Sequence, residues 1–365
     1  MSTVALDLPT RLEASEPPEA RGRGRDDVRL LVASRLDGTI VDGRFADLPE
    51  FLAAGDLLVV NTSATIPAAL SATRGNGEVL ELRLSTPAPE RDPDRFWIVE
   101  LRRGEAPFAA AEVGERLALP AGATARILAP CAGVRLWLAR LDLPQPLEAY
   151  LDAHGQPIRY AYVPRRWPLS AYQNVYATEP GSAEMASAGR PFTAELITRL
   201  VAGGVLVAPI TLHTGVSSQE PGEHPYPERY RVPEQTARLA NAVREWGGRV
   251  VATGTTVVRA LETVARPDGT VAAGEGWTNL VVTPKRGLWA VDGLLTGLHE
   301  ADSSHLDLLR AAAGEQLLRR SYQAALEHGY RWHEFGDSHL ILGVRVAERH
   351  AVGILVGLPD GRSDR

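Results

Sequence analysis

Two incompatible hydrophobic rhythms share this chain. Over residues 70–141 apolar residues recur at every second position, as in Glu78-Val79-Leu80-Glu81-Leu82-Arg83-Leu84, Trp97-Ile98-Val99-Glu100-Leu101 and Val134-Arg135-Leu136-Trp137-Leu138. Such alternation sends one row of side chains into a core and the other into water, the pattern of a half-buried strand. Breaks such as Leu119-Pro120-Ala121-Gly122 separate the runs, with almost no helical period between them. Short strands joined by tight turns predict a small β-barrel or sandwich.

On either side the rhythm changes. Arg29-Leu30-Leu31-Val32-Ala33 and Asp56-Leu57-Leu58-Val59-Val60 read as strands, the second apolar throughout and so buried on both faces. Helical spacing runs over 193–202, with Thr193 as N-cap and Gly203-Gly204 as the stop, and again over 236–246, 257–265, 306–313 and 317–328. Apolar runs at 205–212, 249–252 and 277–282 lie between helices. Strand–helix alternation implies an α/β fold with a mostly parallel sheet. The expected organisation is a discontinuous α/β domain, residues 1–69 and 142–365, interrupted by an inserted β-barrel domain, residues 70–141. A length of 365 residues agrees with more than one core.

Several classes are excluded. No apolar stretch reaches membrane-spanning length, and residues 1–25 hold Asp7, Glu13, Glu16 and Glu19 rather than a secretory apolar run. The single cysteine, Cys131, rules out an internal disulfide and a cysteine-rich zinc site, so a reducing, cytoplasmic compartment is expected. A net charge of −6 gives no general attraction to nucleic acid; a local basic face would be needed. Arg21, Arg23 and Arg25, and Arg165 with Arg166 beside Trp167, are the candidates, with a solvated surface as the other reading.

Four passages could carry chemistry. In Val250-Val251-Ala252-Thr253-Gly254-Thr255-Thr256-Val257-Val258-Arg259-Ala260-Leu261-Glu262 a buried strand runs through a Thr/Gly loop into a helix, the place where ligands settle in open α/β sheets. Gly254 would allow close backbone approach, and Thr255 and Thr256 add hydroxyls and helix-terminal N–H donors. Arg259 and Glu262 would share a helix face and could pair. A structural turn with a Thr cap and a surface ion pair would read the same, and no Walker loop or G-x-G-x-x-G is present. In Thr211-Leu212-His213-Thr214-Gly215 a histidine follows a buried strand, where it could titrate near neutrality as an acid–base group or be purely structural. Tyr330-Arg331-Trp332-His333-Glu334-Phe335-Gly336-Asp337-Ser338-His339 could frame a nucleoside or form a packed cap. Asp292 and His299 flank Leu294-Leu295-Thr296-Gly297 and make a site only if a loop folds them together.

In order, these passages resemble the S-adenosylmethionine:tRNA ribosyltransferase-isomerase family of queuosine biosynthesis. The resemblance takes in Asp7-Leu8-Pro9, Gly55-Asp56-Leu57-Leu58-Val59-Val60-Asn61, Ile66-Pro67-Ala68 and Tyr172-Gln173-Asn174-Val175-Tyr176-Ala177. It continues through Thr211-Leu212-His213-Thr214-Gly215 and Gly254-Thr255-Thr256 with Arg259 and Glu262. Asp292, Thr296, His299 and Gly336-Asp337 close it. No single piece is diagnostic; their succession from near the N-terminus to about Ile341 is. The resemblance implies a large α/β domain interrupted by a small barrel. It also implies transfer and rearrangement of the ribosyl part of S-adenosylmethionine, a co-substrate, onto the aminomethyl group of a 7-deazaguanine in tRNA. Adenine and methionine leave, an epoxycyclopentane product (epoxyqueuosine) remains, and no metal is required. Such a reaction needs a base for a proton beside the sulfonium and a proton donor for adenine. By this resemblance His213, His299 and Asp337 are the candidate acid–base residues. Tyr172, Gly254, Thr255, Thr256, Arg259, Glu262 and Asp292 are the candidate substrate-binding residues.

The departures bear on the acceptor. The family run Pro-Thr-Ala-Gly-Leu-His-Phe-Thr reads Ala186-Ser187-Ala188-Gly189-Arg190-Pro191-Phe192-Thr193 here, with Pro191 in place of histidine. Thr-Asn-Phe-His reads Thr296-Gly297-Leu298-His299, the following Pro-Lys-Ser is Ala301-Asp302-Ser303, and Ala64 and Ala69 stand near the first strand where arginine is expected. Lost positive charge falls where an anionic tRNA would gain contacts. Two acceptors stay open on sequence, tRNA or a deazapurine or other small molecule, alongside a non-catalytic nucleoside-binding protein.

Overall fold

The computed structural model describes residues 9–131, 135–216, 226–298 and 304–343. The chain opens with a hairpin of β1 (Arg29–Ser34) and β2 (Ile40–Arg44), a single helical turn α1 (Leu48–Phe51), the fully buried β3 (Leu57–Asn61) and the short β4 (Ser63–Thr65). Seven strands follow: β5 (Ala69–Thr73), β6 (Val79–Pro87), β7 (Phe96–Arg103), β8 (Ala106–Pro107), β9 (Arg116–Ala118), β10 (Thr124–Pro130) and β11 (Leu136–Asp142). After α2 (Leu147–His154) and β12 (Glu179–Ser182) come α3 (Ala194–Ala202), β13 (Leu206–Leu212), β14 (Glu228–Val232), α4 (Glu234–Glu245), β15 (Val250–Thr253) and α5 (Thr255–Val264). The last elements are β16 (Gly274–Thr278), β17 (Gly293–Gly297), α6 (Ser304–Ala313), α7 (Glu315–Glu327) and β18 (Ser338–Leu342).

The alternating segment closes on itself. Strand β11 pairs back to β7, so β5, β6, β7, β9, β10 and β11 form a six-stranded antiparallel barrel, with β8 appended to β7 as a hairpin. The inward row (Leu80, Leu82, Leu84, Val99, Leu101, Leu117, Ile127, Leu141) is at most 2 % exposed, and closure leaves none of those six strands with a free edge for another chain to extend. Tyr150 and Leu151 of α2, together with Ile158 and Ala183, complete this core from outside the strands.

The large sheet has the order β16-β14-β13-β3-β15-β17-β18-β1-β2. It is mixed rather than mostly parallel. The centre, β13-β3-β15-β17, is parallel, and so is β18 against β1, but the β13–β14, β14–β16, β17–β18 and β1–β2 pairs are antiparallel. The reason lies in the connections. One helix between strands returns the chain to a parallel start, whereas α6 and α7 in series add a reversal and bring β18 back antiparallel to β17. The hairpin strand β2 reverses without a helix, and β16, reached through α5, adds to the sheet antiparallel to β14. Thr193 caps α3 as its sequence predicts, its Oγ1 accepting from the Leu196 N–H at 3.1 Å. At the amino edge Asp56 receives Arg249 N at 3.0 Å and Arg249 Nη2 at 2.6 Å, locking the starts of β3 and β15 together.

Candidate active site

The carboxyl ends of β3, β13 and β15 lie side by side, and Asn61 joins them. Its Nδ2 donates to the Leu212 carbonyl at 2.8 Å and reaches Thr256 Oγ1 at 3.5 Å, while its Oδ1 accepts from the N–H groups of Leu212 (2.9 Å) and Ser63 (3.1 Å). One buried amide therefore fixes the position of His213, the residue that follows β13, relative to the Gly254-Thr255-Thr256 turn. Gly254 has φ +91°, a conformation that glycine alone adopts cheaply, and it opens α5 with no side-chain cap. The Thr253 hydroxyl beneath it is buried without a hydrogen-bond partner.

Two contacts hold the His213 ring, one of them backed by Ser182. Ser63 Oγ lies 2.7 Å from Nδ1, and Ser182 Oγ lies 2.6 Å from that Ser63 oxygen. The backbone of Gly181 packs against the imidazole so closely that a Cβ there would sit 2.4 Å from Nδ1. Burial, reinforced by Arg229, pushes the His213 pKa down to about 4. The expectation of titration near neutrality is thus corrected: desolvation disfavours the imidazolium, and the ring is neutral at pH 7. Tyr172 reaches the same strip through β4, because the Thr65 Oγ1 donates to its carbonyl at 2.8 Å and Gln173 exchanges hydrogen bonds with the Thr65 backbone. Desolvation raises the Tyr172 phenol to about 12.

A second group meets beside Tyr172, at the junction of barrel and sheet. The rings of Tyr162 and His333 stack at 3.9 Å, and Tyr160 continues the row at 5.9 Å. The phenol of Tyr160 donates to Glu184 and that of Tyr162 to Glu334, while Arg83 from the barrel lies over Tyr160 at 5.2 Å. Burial lifts the Glu334 carboxyl to about 7, so a proton resides there through much of the neutral range. His333 takes φ +72° to enter the stack.

Other sequence candidates have different places. Arg259 and Glu262 do not pair. Arg259 is bonded to the buried Glu228, whose second oxygen accepts from the Gly215 N–H at 2.8 Å, and its remaining donors go to the Leu280 and Thr278 carbonyls. Glu262 accepts from Arg286 and from the amides of Trp289, Ala290 and Val291, pinning the loop before β17 rather than lining a pocket. Asp292 sits at the amino end of β17, accepting from the Val250 N–H at 3.1 Å. That is the opposite edge of the sheet from Gly254, because the parallel register aligns Val251 with Gly293 and so carries Gly254 towards Thr296. Asp337 is on the correct edge but four strands from β13, where it accepts from the N–H groups of Arg29 and Arg331. His299 lies outside the described residues. Tyr330 and Trp332 are core residues, at most 1 % exposed.

Sequence reading passed over Ser63, Ser182, Tyr160, Tyr162 and Glu184. Asn61 carried the one usable signal, a polar residue closing a fully apolar strand. Ser63 and Ser182 lie in strands too short to show a period, and Tyr160, Tyr162 and Glu184 lie in irregular segments.

The chain is similar to known proteins along most of its length. A family model described as "Queuosine biosynthesis protein" matches residues 1–341. The S-adenosylmethionine:tRNA ribosyltransferase-isomerase of Symbiobacterium thermophilum is 38% identical over 354 residues, covering 94% of this chain and 99% of that protein. The protein of the same name from Thermus thermophilus is 36% identical over 334 residues, covering 87% and 93%. Among solved structures, the S-adenosylmethionine tRNA ribosyltransferase of Thermotoga maritima superposes with a TM-score of 0.52 at 31% identity, over 93% of this chain and 100% of that one. With the match running from the first residue into β18, this chain belongs to the queuosine biosynthesis protein family.

Proposed function

We propose that this protein is an S-adenosylmethionine-dependent tRNA ribosyltransferase-isomerase acting in a cytoplasmic setting. It moves the ribosyl part of S-adenosylmethionine onto a 7-aminomethyl-7-deazaguanine in tRNA, giving epoxyqueuosine and releasing adenine and methionine. The catalytic unit is residues 1–69 with 142–365, and the barrel, 70–141, is an inserted domain. The observation that carries the reading is the neutral His213, oriented by Ser63 and Gly181 beside the Gly254 turn. A neutral imidazole can accept a proton, and one beside the sulfonium is acidified by the positive sulfur. Its low basicity makes close placement the main contribution. Thr255 and Thr256 present backbone N–H and hydroxyl groups to the nucleoside, Gly254, whose own N–H goes to the Leu295 carbonyl, lets it approach the backbone closely, and Tyr172 borders the same site. Glu334, carrying a proton near neutrality, is suited to protonate the departing adenine. Arg259, Glu262 and Asp292 act through structure: their donors and acceptors are engaged by the protein itself.

The test is release of adenine and methionine from S-adenosylmethionine, with and without tRNA carrying the aminomethyl base. Release that depends on that tRNA, with a mass gain on the RNA, is expected. His213→Ala should lower the rate by about 100-fold or more; release independent of tRNA, or a His213→Ala enzyme equal to wild type, would defeat the assignment.

A further inference from the structure

Five arginines, Arg21, Arg23, Arg29, Arg44 and Arg331, line a cleft of ≈ 550 Å³ beside β1. Four aspartates share it, and each is already engaged. Asp42 takes Arg29 at 2.6 Å and the Tyr330 hydroxyl at 2.5 Å, and Asp27 takes Arg44 at 2.6 Å. Asp47 accepts from the Arg44 N–H, and Asp337 spends both oxygens on the N–H groups of Arg29 and Arg331. Arg23 lies 3.8 Å from Asp27, which leaves two guanidiniums over. Arg21 has Nε and Nη1 buried with no hydrogen-bond partner, an uncommon state for the most strongly polar side chain. Among the described residues, the Arg331 guanidinium forms no ion pair; it feels the Asp337 carboxylate only at longer range, and it lies close enough to Arg21 to add to the burial that lowers the Arg21 pKa.

Two like charges with unused donors, facing one cleft, are complementary to a single tetrahedral anion that accepts from both forks. The cleft opens on the edge of the sheet that carries His213. Arg29 begins β1 and Asp337 precedes β18, whose first residue pairs with the last of β17. From β13 to β18 is four strand positions, a separation on the order of 20 Å at the spacing of hydrogen-bonded strands. That reach is a few nucleotides of an RNA strand whose reacting base sits at His213. We infer that the Arg21–Arg331 cleft holds a backbone phosphate of the RNA substrate, flanking the modified nucleotide. The inference rests on the tRNA reading above and adds where the RNA is gripped. It also answers the charge problem: a chain of net charge −6 needs its positive potential concentrated in one place.

Filter binding of the aminomethyl-bearing tRNA across a salt series tests it, using the full chain with Arg21→Gln, Arg331→Gln, the double variant and the matching lysine variants. Each glutamine should lessen the slope of log affinity against log salt by about 0.7 to 0.9, with S-adenosylmethionine binding unchanged. The lysine variants should keep the wild-type slope. Arg331 is exposed, so its replacement leaves folding intact and the result does not hang on the buried Arg21. A wild-type slope in the glutamine variants, with tRNA turnover preserved, overturns the cleft and leaves the enzyme reading standing. Weaker binding with an unchanged slope overturns it too, since that marks a structural arginine. A wild-type protein that processes S-adenosylmethionine but binds no tRNA overturns both.

Discussion

Replacing Glu228 with glutamine isolates what Arg259 does. In the structure Glu228 and Arg259 are 9% and 8% exposed, and one carboxylate oxygen meets the guanidinium while the other holds the Gly215 N–H, two residues beyond His213. Glu228→Gln keeps the shape and an oxygen for Gly215 but strands the guanidinium against two carbonyls. Breaking one side of a buried pair costs about 3 to 5 kcal/mol, and the retained amide contacts put the expected loss near ~3 kcal/mol. Arg259→Met strands the carboxylate instead and should cost a similar amount. The double variant, with no unpaired charge, should be more stable than the sum predicts by about 2 to 3 kcal/mol. Urea unfolding of the four proteins gives the cycle, and S-adenosylmethionine titration of the folded forms gives the second readout. Additive losses, or single variants within about 0.5 kcal/mol of wild type, would refute a bolt that ties α5 to β14. So would an affinity for S-adenosylmethionine that collapses in Arg259→Met yet is intact in Glu228→Gln, because that pattern marks direct contact with substrate.

Two further outcomes follow from the same geometry. Gly181→Ala puts a methyl group 2.4 Å from His213 Nδ1; the displaced ring should lower turnover by roughly 100-fold and the overpacking should cost about 1 to 3 kcal/mol of stability, and undiminished turnover of the folded variant would mean that the ring position is immaterial. Stability should also fall as pH drops from 6.5 towards 4. His213, His305, His333 and His339 are each pushed down to about 4 by burial, so the unfolded chain takes up protons there before the folded one does. Glu334 and Asp337, raised by burial, bind protons better when folded and offset part of this. Four groups against two leave a slope of up to ~3 kcal/mol per pH unit, measurable by denaturant melts at pH 7 and 5; equal stability at both would show that these rings are solvated.

What the sequence disclosed depended on periodicity. The barrel was legible because its strands alternate strictly, and α3, α4, α5 and α7 because each carries an apolar stripe bounded by caps or glycines. Mixed strand direction was not, since a two-helix connection such as α6–α7 reads locally like a one-helix connection and differs only in how many times the chain turns. The turn at Gly254 and the placement of His213 were both legible, each being a polar or flexible residue that ends a buried apolar run. Arg259, Glu262 and Asp292 misled for a common reason. Chain proximity to a site says nothing about which edge of a sheet a side chain occupies, and a charged residue with a buried partner far along the chain resembles a free one. The Tyr160–Tyr162–His333 row was legible only at His333, which lies in the 330–339 passage; Tyr160 and Tyr162 come from an irregular segment and meet it only through the fold.

The order of strands has a further consequence, for how the chain comes to be folded during synthesis. Strand β3 is made early, yet both its neighbours, β13 and β15, begin at Leu206 and Val250, and β1 waits for β18 at Ser338. The barrel, by contrast, draws all its strands from one contiguous stretch. It can close while the ribosome is still building the other half, whereas β3 stays unpaired until β13 and β15 emerge and β1, joined early to β2, keeps its other edge open until β18. Such non-local pairing is slow and leaves apolar edges exposed meanwhile. A ribosome stalled before Ser338 would therefore release a chain with a finished barrel and an open, adhesive sheet, a natural substrate for chaperones.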